Sequence, residues 1–154
     1  MKQNIIIVFF IFLLSTTQLK GLEKGNWNFV VEDDYCYIGS APTKEEGDYT
    51  KRGDTYILVY RINKNPEKHI QITAGYYYDE NKKVIVDIDK LSYEFYGKDD
   101  SAWSKNNNDE KIIFAMKKGM KMEVQGYSSR GTLTTDTYSL KGFTSAFNKL
   151  SKDC

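Results

Sequence analysis

Hydrophobic positions along this chain fall into three kinds of run. The first is an unbroken block, Ile5 to Leu14, of ten apolar residues. The second is an alternation of apolar and polar residues, the signature of half-buried strands. It appears in His69 to Ala74, where Ile70, Ile72 and Ala74 share a face, and in Lys83 to Asp89, where Val84, Val86 and Ile88 do. Leu91, Tyr93 and Phe95 continue it after a tight turn near Asp89-Lys90. Met120, Met122 and Val124 begin a hairpin that turns through Gly126–Gly131 and returns along Thr132–Leu140. Trp27–Val31 and Tyr35–Ser40 also read as strands. Asp54–Ile62 is apolar on both faces over Tyr56–Tyr60 and reads as central in a sheet packed on two sides. Residues 41–53 carry Pro42, Gly47 and Gly53 among charges and read as a loop.

The third kind of run has helical spacing. Ile112, Ile113 and Met116 form a stripe, with Asn107 or Asn108 as a cap. Asp109 and Glu110 suit the positive end of that helix, Lys117 and Lys118 the negative end, and Gly119 stops it. Phe143, Ala146, Phe147 and Leu150 fall at i, i+3, i+4 and i+7 of a second helix over Gly142–Leu150. Many short strands with two short peripheral helices predict a mainly β fold, an antiparallel β-sandwich. A closed barrel is the alternative. A Rossmann fold is excluded, because strands and helices do not alternate.

The apolar block changes the picture of the N-terminus. Lys2 precedes it, Ser15-Thr16-Thr17 and Lys20-Gly21 follow it, and this is the pattern of a secretory signal peptide. Ten apolar residues are too few to cross a bilayer, which takes about 20. No Cys follows the block, which disfavours a lipoprotein. Residues 1–21 are therefore predicted to be removed, with cleavage between about Thr17 and Gly21. The exported domain is residues 22–154, in the periplasm or on the outer surface, without a transmembrane segment. The whole chain of 154 residues carries +1; without Lys2 and Lys20 it has 20 basic against 21 acidic side chains, or −1. That balance argues against nucleic acid as a partner. Both cysteines, Cys36 and Cys154, lie in the exported part, and an even count there predicts one disulfide. Closing so long a loop stabilises by ~4–5 kcal/mol in the chain-entropy model. With one histidine and two cysteines a zinc site is disfavoured, and no cofactor is implied.

Candidate chemistry is sparse. His69, the only histidine, reads as a solvated strand end before it reads as a general base. Asp87 and Asp89 share a strand face by period two, which fits a wet face or paired carboxylates. Asp99 and Asp100 read as a loop. Ser128-Ser129-Arg130-Gly131-Thr132 is the best candidate, because an Arg flanked by hydroxyls on a hairpin presents donors to a carboxylate or phosphate. In a purely structural role, Ser and Gly make the turn and Arg130 pairs with an acid such as Asp136. Tyr76-Tyr77-Tyr78 offers either core and edge packing or a flat contact surface for protein or sugar, Tyr76 and Tyr77 being the candidates for contact.

Specific stretches add a resemblance. Ala115–Gly119, Gly126–Thr132 and Asp136–Phe143, with Trp27 ahead of Cys36, Thr55–Val59, Ala102-Trp103 and a final Cys154, resemble the invasion-associated locus B family of alphaproteobacteria. The resemblance covers most of residues 26–154. It implies a secreted or periplasmic β-sandwich of a Gram-negative bacterium, linked in pathogenic members to entry into host cells. It brings no catalytic residues. The function it implies is a non-enzymatic exported domain that binds a protein or envelope partner. A cell-envelope enzyme acting on surface or wall glycans, or a periplasmic envelope-integrity factor, are the alternatives.

Overall fold

The structure is a computed structural model and describes residues 21–154. The predicted signal segment thus lies, apart from Gly21, outside the described residues. Ten strands and two helices follow in chain order: β1 (Asn28–Val31), β2 (Tyr35–Ser40), β3 (Lys44–Gly47), β4 (Thr55–Ile62), β5 (His69–Ala74), β6 (Lys83–Ile88), β7 (Leu91–Lys98), β8 (Ser101–Ser104), α1 (Asp109–Lys118), β9 (Lys121–Tyr127), β10 (Leu133–Ser139) and α2 (Phe143–Asp153).

The mainly β, antiparallel expectation holds, and so do the two short helices. The strands form one continuous sheet in the order β1-β2-β4-β5-β8-β7-β6-β9-β10-β3. The sheet curls, and both halves face one core. Trp27 Nε1, just ahead of β1, donates to Ser139 O at the end of β10 (2.9 Å), and Thr43 N donates to Thr137 O (2.7 Å). Ile38, Ile57, Val59, Ile70 and Ile72 from one half and Val84, Val86, Phe95, Met122, Val124 and Tyr138 from the other join this core.

Each helix buries four side chains in it. α1 contributes Ile112, Ile113 and Met116, the stripe its spacing marks, together with Ala115, and α2 contributes Phe143, Ala146, Phe147 and Leu150, the residues its spacing marks. Trp27 meets Phe143 edge-on at 4.8 Å. The predicted disulfide, Cys36–Cys154, ties β2 to the end of α2 with a Cα–Cα distance of 5.8 Å.

Four local expectations change. Residues 41–53 contain β3, an edge strand of Lys44-Glu45-Glu46-Gly47 paired with β10. It carries no apolar alternation because both its faces meet solvent, and its charges protect a free edge. β8 follows directly on the Asp99–Asp100 turn and completes β5 and β7. β4 buries Ile57 and Val59 on the core side, but Tyr56, Leu58 and Tyr60 on the other side stay half-exposed. The cap of α1 also differs. Asn108 makes no side-chain cap, and Asp109 turns away to accept from Ile70 N (3.2 Å) and Ser104 Oγ (2.9 Å), tying the helix start to β5 and β8.

One connection decides where the candidate residues go. The chain leaves β5 at Ala74 and must reach β6, but β8 and β7 lie between them in the sheet. Residues 75–82 therefore cross the sheet end. Tyr78 N donates to Asp99 O (2.8 Å), Asp79 N to Tyr127 O (2.9 Å), and Ser129 N to Tyr77 O (2.7 Å). The tyrosine triplet is thereby laced to the β9–β10 turn.

Candidate functional site

That crossing builds a cleft from three segments: the lead into β4 (residues 48–53), the tyrosine connection, and the β9–β10 turn. All six candidate contact residues, Tyr76, Tyr77, Ser128, Ser129, Arg130 and Thr132, line this one recess of about 660 Å3. Asp48, Tyr49, Lys51 and Arg52 line its opposite side.

Packing of backbone on backbone sets its base. Gly53 N donates to Gly75 O (2.9 Å). Gly75 has φ +72°, and a Cβ there would stand 2.3 Å from Gly53 O, so only glycine admits this approach. At Gly126 a Cβ would lie 2.9 Å from Tyr76 Oη and from Tyr78 Cε1; the missing side chain is where these rings sit. Tyr78 is core, Tyr76 is half-buried, and Tyr77 is 67% exposed. The triplet divides into core, wall and rim.

Beneath the cleft lies an ion pair that periodicity did not reveal. Thr134, Asp136 and Tyr138 are alternate residues of β10 and all are buried. Arg52 reaches Asp136 with both terminal nitrogens, Nη1 to Oδ1 at 2.7 Å and Nη2 to Oδ2 at 2.5 Å. Its Nε donates to Ala74 O at 2.6 Å. The two side chains are 5% and 1% exposed. Tyr49 and Tyr76 flank the guanidinium, with ring centres 5.3 and 5.2 Å from its carbon, a cation–π arrangement. Tyr76 Oη meets Thr134 Oγ1 at 2.7 Å. Burial pushes the Asp136 carboxyl up from its ordinary value, and Arg52 opposes that push. Burial would release the Arg52 proton, but the hydrogen-bonded carboxylate outweighs it and holds the guanidinium charged. Two further phenols, Tyr78 and Tyr138, are buried with no hydrogen-bond partner among the described residues. Burial raises the pKa of both.

This pair corrects the structural reading of Arg130: the cation that meets Asp136 is Arg52. The turn itself is built as expected. Ser128 Oγ accepts from Arg130 N (3.3 Å) and Thr132 N (3.2 Å), and Gly131 has φ +86°. Ser128 and Tyr76 thus support the cleft. Tyr77, Ser129 and Arg130 are exposed, Thr132 is half-buried, and Arg130 has no ion-pair partner among the described residues. The signal for Arg52 was present in Asp136: a carboxylate in an inward strand position requires a cation.

The other candidates lie elsewhere. His69 Nδ1 is 3.8 Å from Asp109, which accepts from Ser104. The acid stands between hydroxyl and imidazole, so this histidine is not placed to take a proton from Ser104. Asp89 leaves the strand at φ +50° and accepts from Met120 N and Lys121 N, so it does not share a face with Asp87. Asp99 forms the β7–β8 turn at φ +52°, and Asp100 accepts from Ser101 Oγ. Glu94 is half-exposed on β7; a hydrogen bond from Lys83 (2.6 Å) holds its pKa down.

Fold and cleft together define a curled antiparallel β-domain that presents cationic and aromatic side chains in one recess at the sheet end. Its sequence is matched over residues 29–151 by the family model described as Invasion associated locus B (IalB) protein, and the chain belongs to that family. Comparison with curated proteins gives no match, nor does comparison with solved structures. Family and disulfide fit an exported protein. Among the described residues no helix is long and apolar enough to cross a membrane, and no group of three or more side chains is placed to hold a metal ion.

Proposed function

We propose that this protein is an exported, non-enzymatic domain, periplasmic or on the cell surface, that binds a protein or envelope partner through the cleft. The single observation that supports the reading is the convergence of exposed Arg130, Ser129 and Tyr77 on one recess, faced by Tyr49 and Lys51. Arg130 offers a planar fork for a carboxylate or phosphate. Tyr77 and Tyr49 offer aromatic faces at small entropic cost. The Arg52–Asp136 pair underneath fixes the wall but is too buried to serve as the contact itself. Glycan chemistry would need a pair of carboxylates; of the acids only Asp48 lines the recess, and Asp87, Asp89 and Glu94 lie outside it. The family's name points to association with a host cell as the setting.

Crosslinking in whole cells followed by pull-down tests this reading. Wild type should enrich a partner over an unrelated exported domain, and Arg130→Ala should lose it. Identical lists from all three would defeat both the function and the site.

A further inference from the structure

A second surface, sharing no residue with the cleft, has a different chemistry. Between the β6–β7 turn and α1 runs a groove of about 500 Å3 lined by Leu91, Tyr93, Phe114 and Ala115. Three large apolar side chains protrude at or beside it: Met120 is 78% exposed, Phe114 59% and Leu91 55%. They come from the turn after α1, from α1 and from β7. Exposed apolar groups in such proximity mark an interaction site.

Positive charge predominates around them, three lysines against one acid. Lys90, Lys111 and Lys118 line the groove, and Lys118 Nζ stands 4.3 Å from the Phe114 ring centre. The acid in the lining is Asp89, whose carboxylate already accepts from Met120 N (3.3 Å) and Lys121 N (3.4 Å). The backbone behind the apolar tips is satisfied as well. Gly119 N donates to Ala115 O, Asp89 N to Lys121 O, and Leu140 N to Met120 O. Moving these tips into an apolar medium would strand none of those peptide groups, which is the condition for entering lipid.

We propose that this face docks on a phospholipid bilayer carrying anionic headgroups, with Leu91, Phe114 and Met120 entering the acyl boundary and the three lysines contacting headgroups. Charge complementarity selects the occupant. A second copy of the chain would set three lysines against three lysines. An extended peptide would seek backbone partners that this groove has already used internally. A chain with a net charge near zero has no long-range pull toward an anionic surface, so attraction has to be local. Each lysine near such a surface contributes about 1 kcal/mol.

The test uses the full chain with Phe114→Trp, a substitution at an exposed position, and vesicles of phosphatidylglycerol and phosphatidylethanolamine brominated high in their acyl chains. Emission should shift to the blue and be quenched beyond that of the parent chain, whose Trp27 and Trp103 give the baseline. Adding Lys90→Gln, Lys111→Gln and Lys118→Gln should lower vesicle affinity on the order of a hundredfold. Co-sedimentation without quenching would place the contact elsewhere on the chain and overturn the proposal. Absence of vesicle binding, equal binding to phosphatidylcholine, or a blue shift with an acidic amphipathic peptide and none with vesicles would overturn it equally.

Discussion

Replacing Asp136 with leucine removes the partner of a buried guanidinium. Arg52 then keeps its bond to Ala74 O but loses two charge-assisted bonds, in a site where its side chain is 5% exposed. Breaking a buried pair from one side costs about 3–5 kcal/mol. The opposite single change, Arg52→Met, should cost less. It strands a carboxylate, and a carboxylate escapes by protonation. Burial already raises the pKa of Asp136, and losing Arg52 raises it further. A group with a raised folded-state pKa adds stability below its unfolded value and loses it as pH climbs through the folded one. Arg52→Met should therefore close part of its deficit to wild type as the solution is acidified, whereas Asp136→Leu should not. The double variant leaves no buried charge and should return to within about 1 kcal/mol of wild type. Urea unfolding followed by the combined emission of Trp27, packed on Phe143, and Trp103 reads all four chains. With a slope of about 2 kcal/mol/M, Asp136→Leu should lower the midpoint by roughly 2 M. A loss below about 1 kcal/mol would class the pair with solvent-exposed ones and refute its role as the anchor of residues 48–53.

Other expectations follow from the same geometry. Reducing Cys36–Cys154, which closes a separation of 118 residues, should cost about 5 kcal/mol by chain entropy, measured as the difference in urea midpoint with and without reductant. Above pH ~10 stability should fall by about 1.4 kcal/mol per pH unit for each of Tyr78 and Tyr138, because the unfolded chain releases phenolic protons that burial retains in the native state. The phenolate absorbance of these two should appear only with unfolding, and ionisation of every tyrosine in the native state would contradict it. Gly75→Ala should cost at least ~2 kcal/mol, from a left-handed φ and from its Cβ meeting Gly53 O; a thermal scan showing wild-type stability would mean that the base of the cleft is not built as described.

Much of the fold was legible because one face of each main strand meets the core. Ile70, Ile72, Val84, Val86 and Ile88 alternate, and the alternation places β5 and β6 within a residue of their ends. The two helices were legible for the same reason at a different period. β3 was hidden because a charged edge strand has no buried face to write into the sequence. β8, Ser-Ala-Trp-Ser, was hidden because four residues are too short for a period to emerge. The candidate contact residues were identified as turn and aromatic segments, but their meeting was not. Tyr77 and Ser129 are brought together by a crossing of the sheet end, and sheet order is a property of the whole chain. Arg52 was lost for a related reason: a cation in a charged loop looks solvated until the strand that carries Asp136 is placed beneath it.

The most direct test of the central claim, that the cleft is the binding surface, is site-specific photocrosslinking in living cells. A benzophenone side chain at Tyr77, on the rim, is compared with one at Tyr96, which is also exposed but lies outside the cleft on β7. A discrete adduct at the first position, absent at the second and abolished by Arg130→Ala in the same chain, is the predicted result. Equal adducts at both positions, or an adduct indifferent to Arg130→Ala, would contradict it.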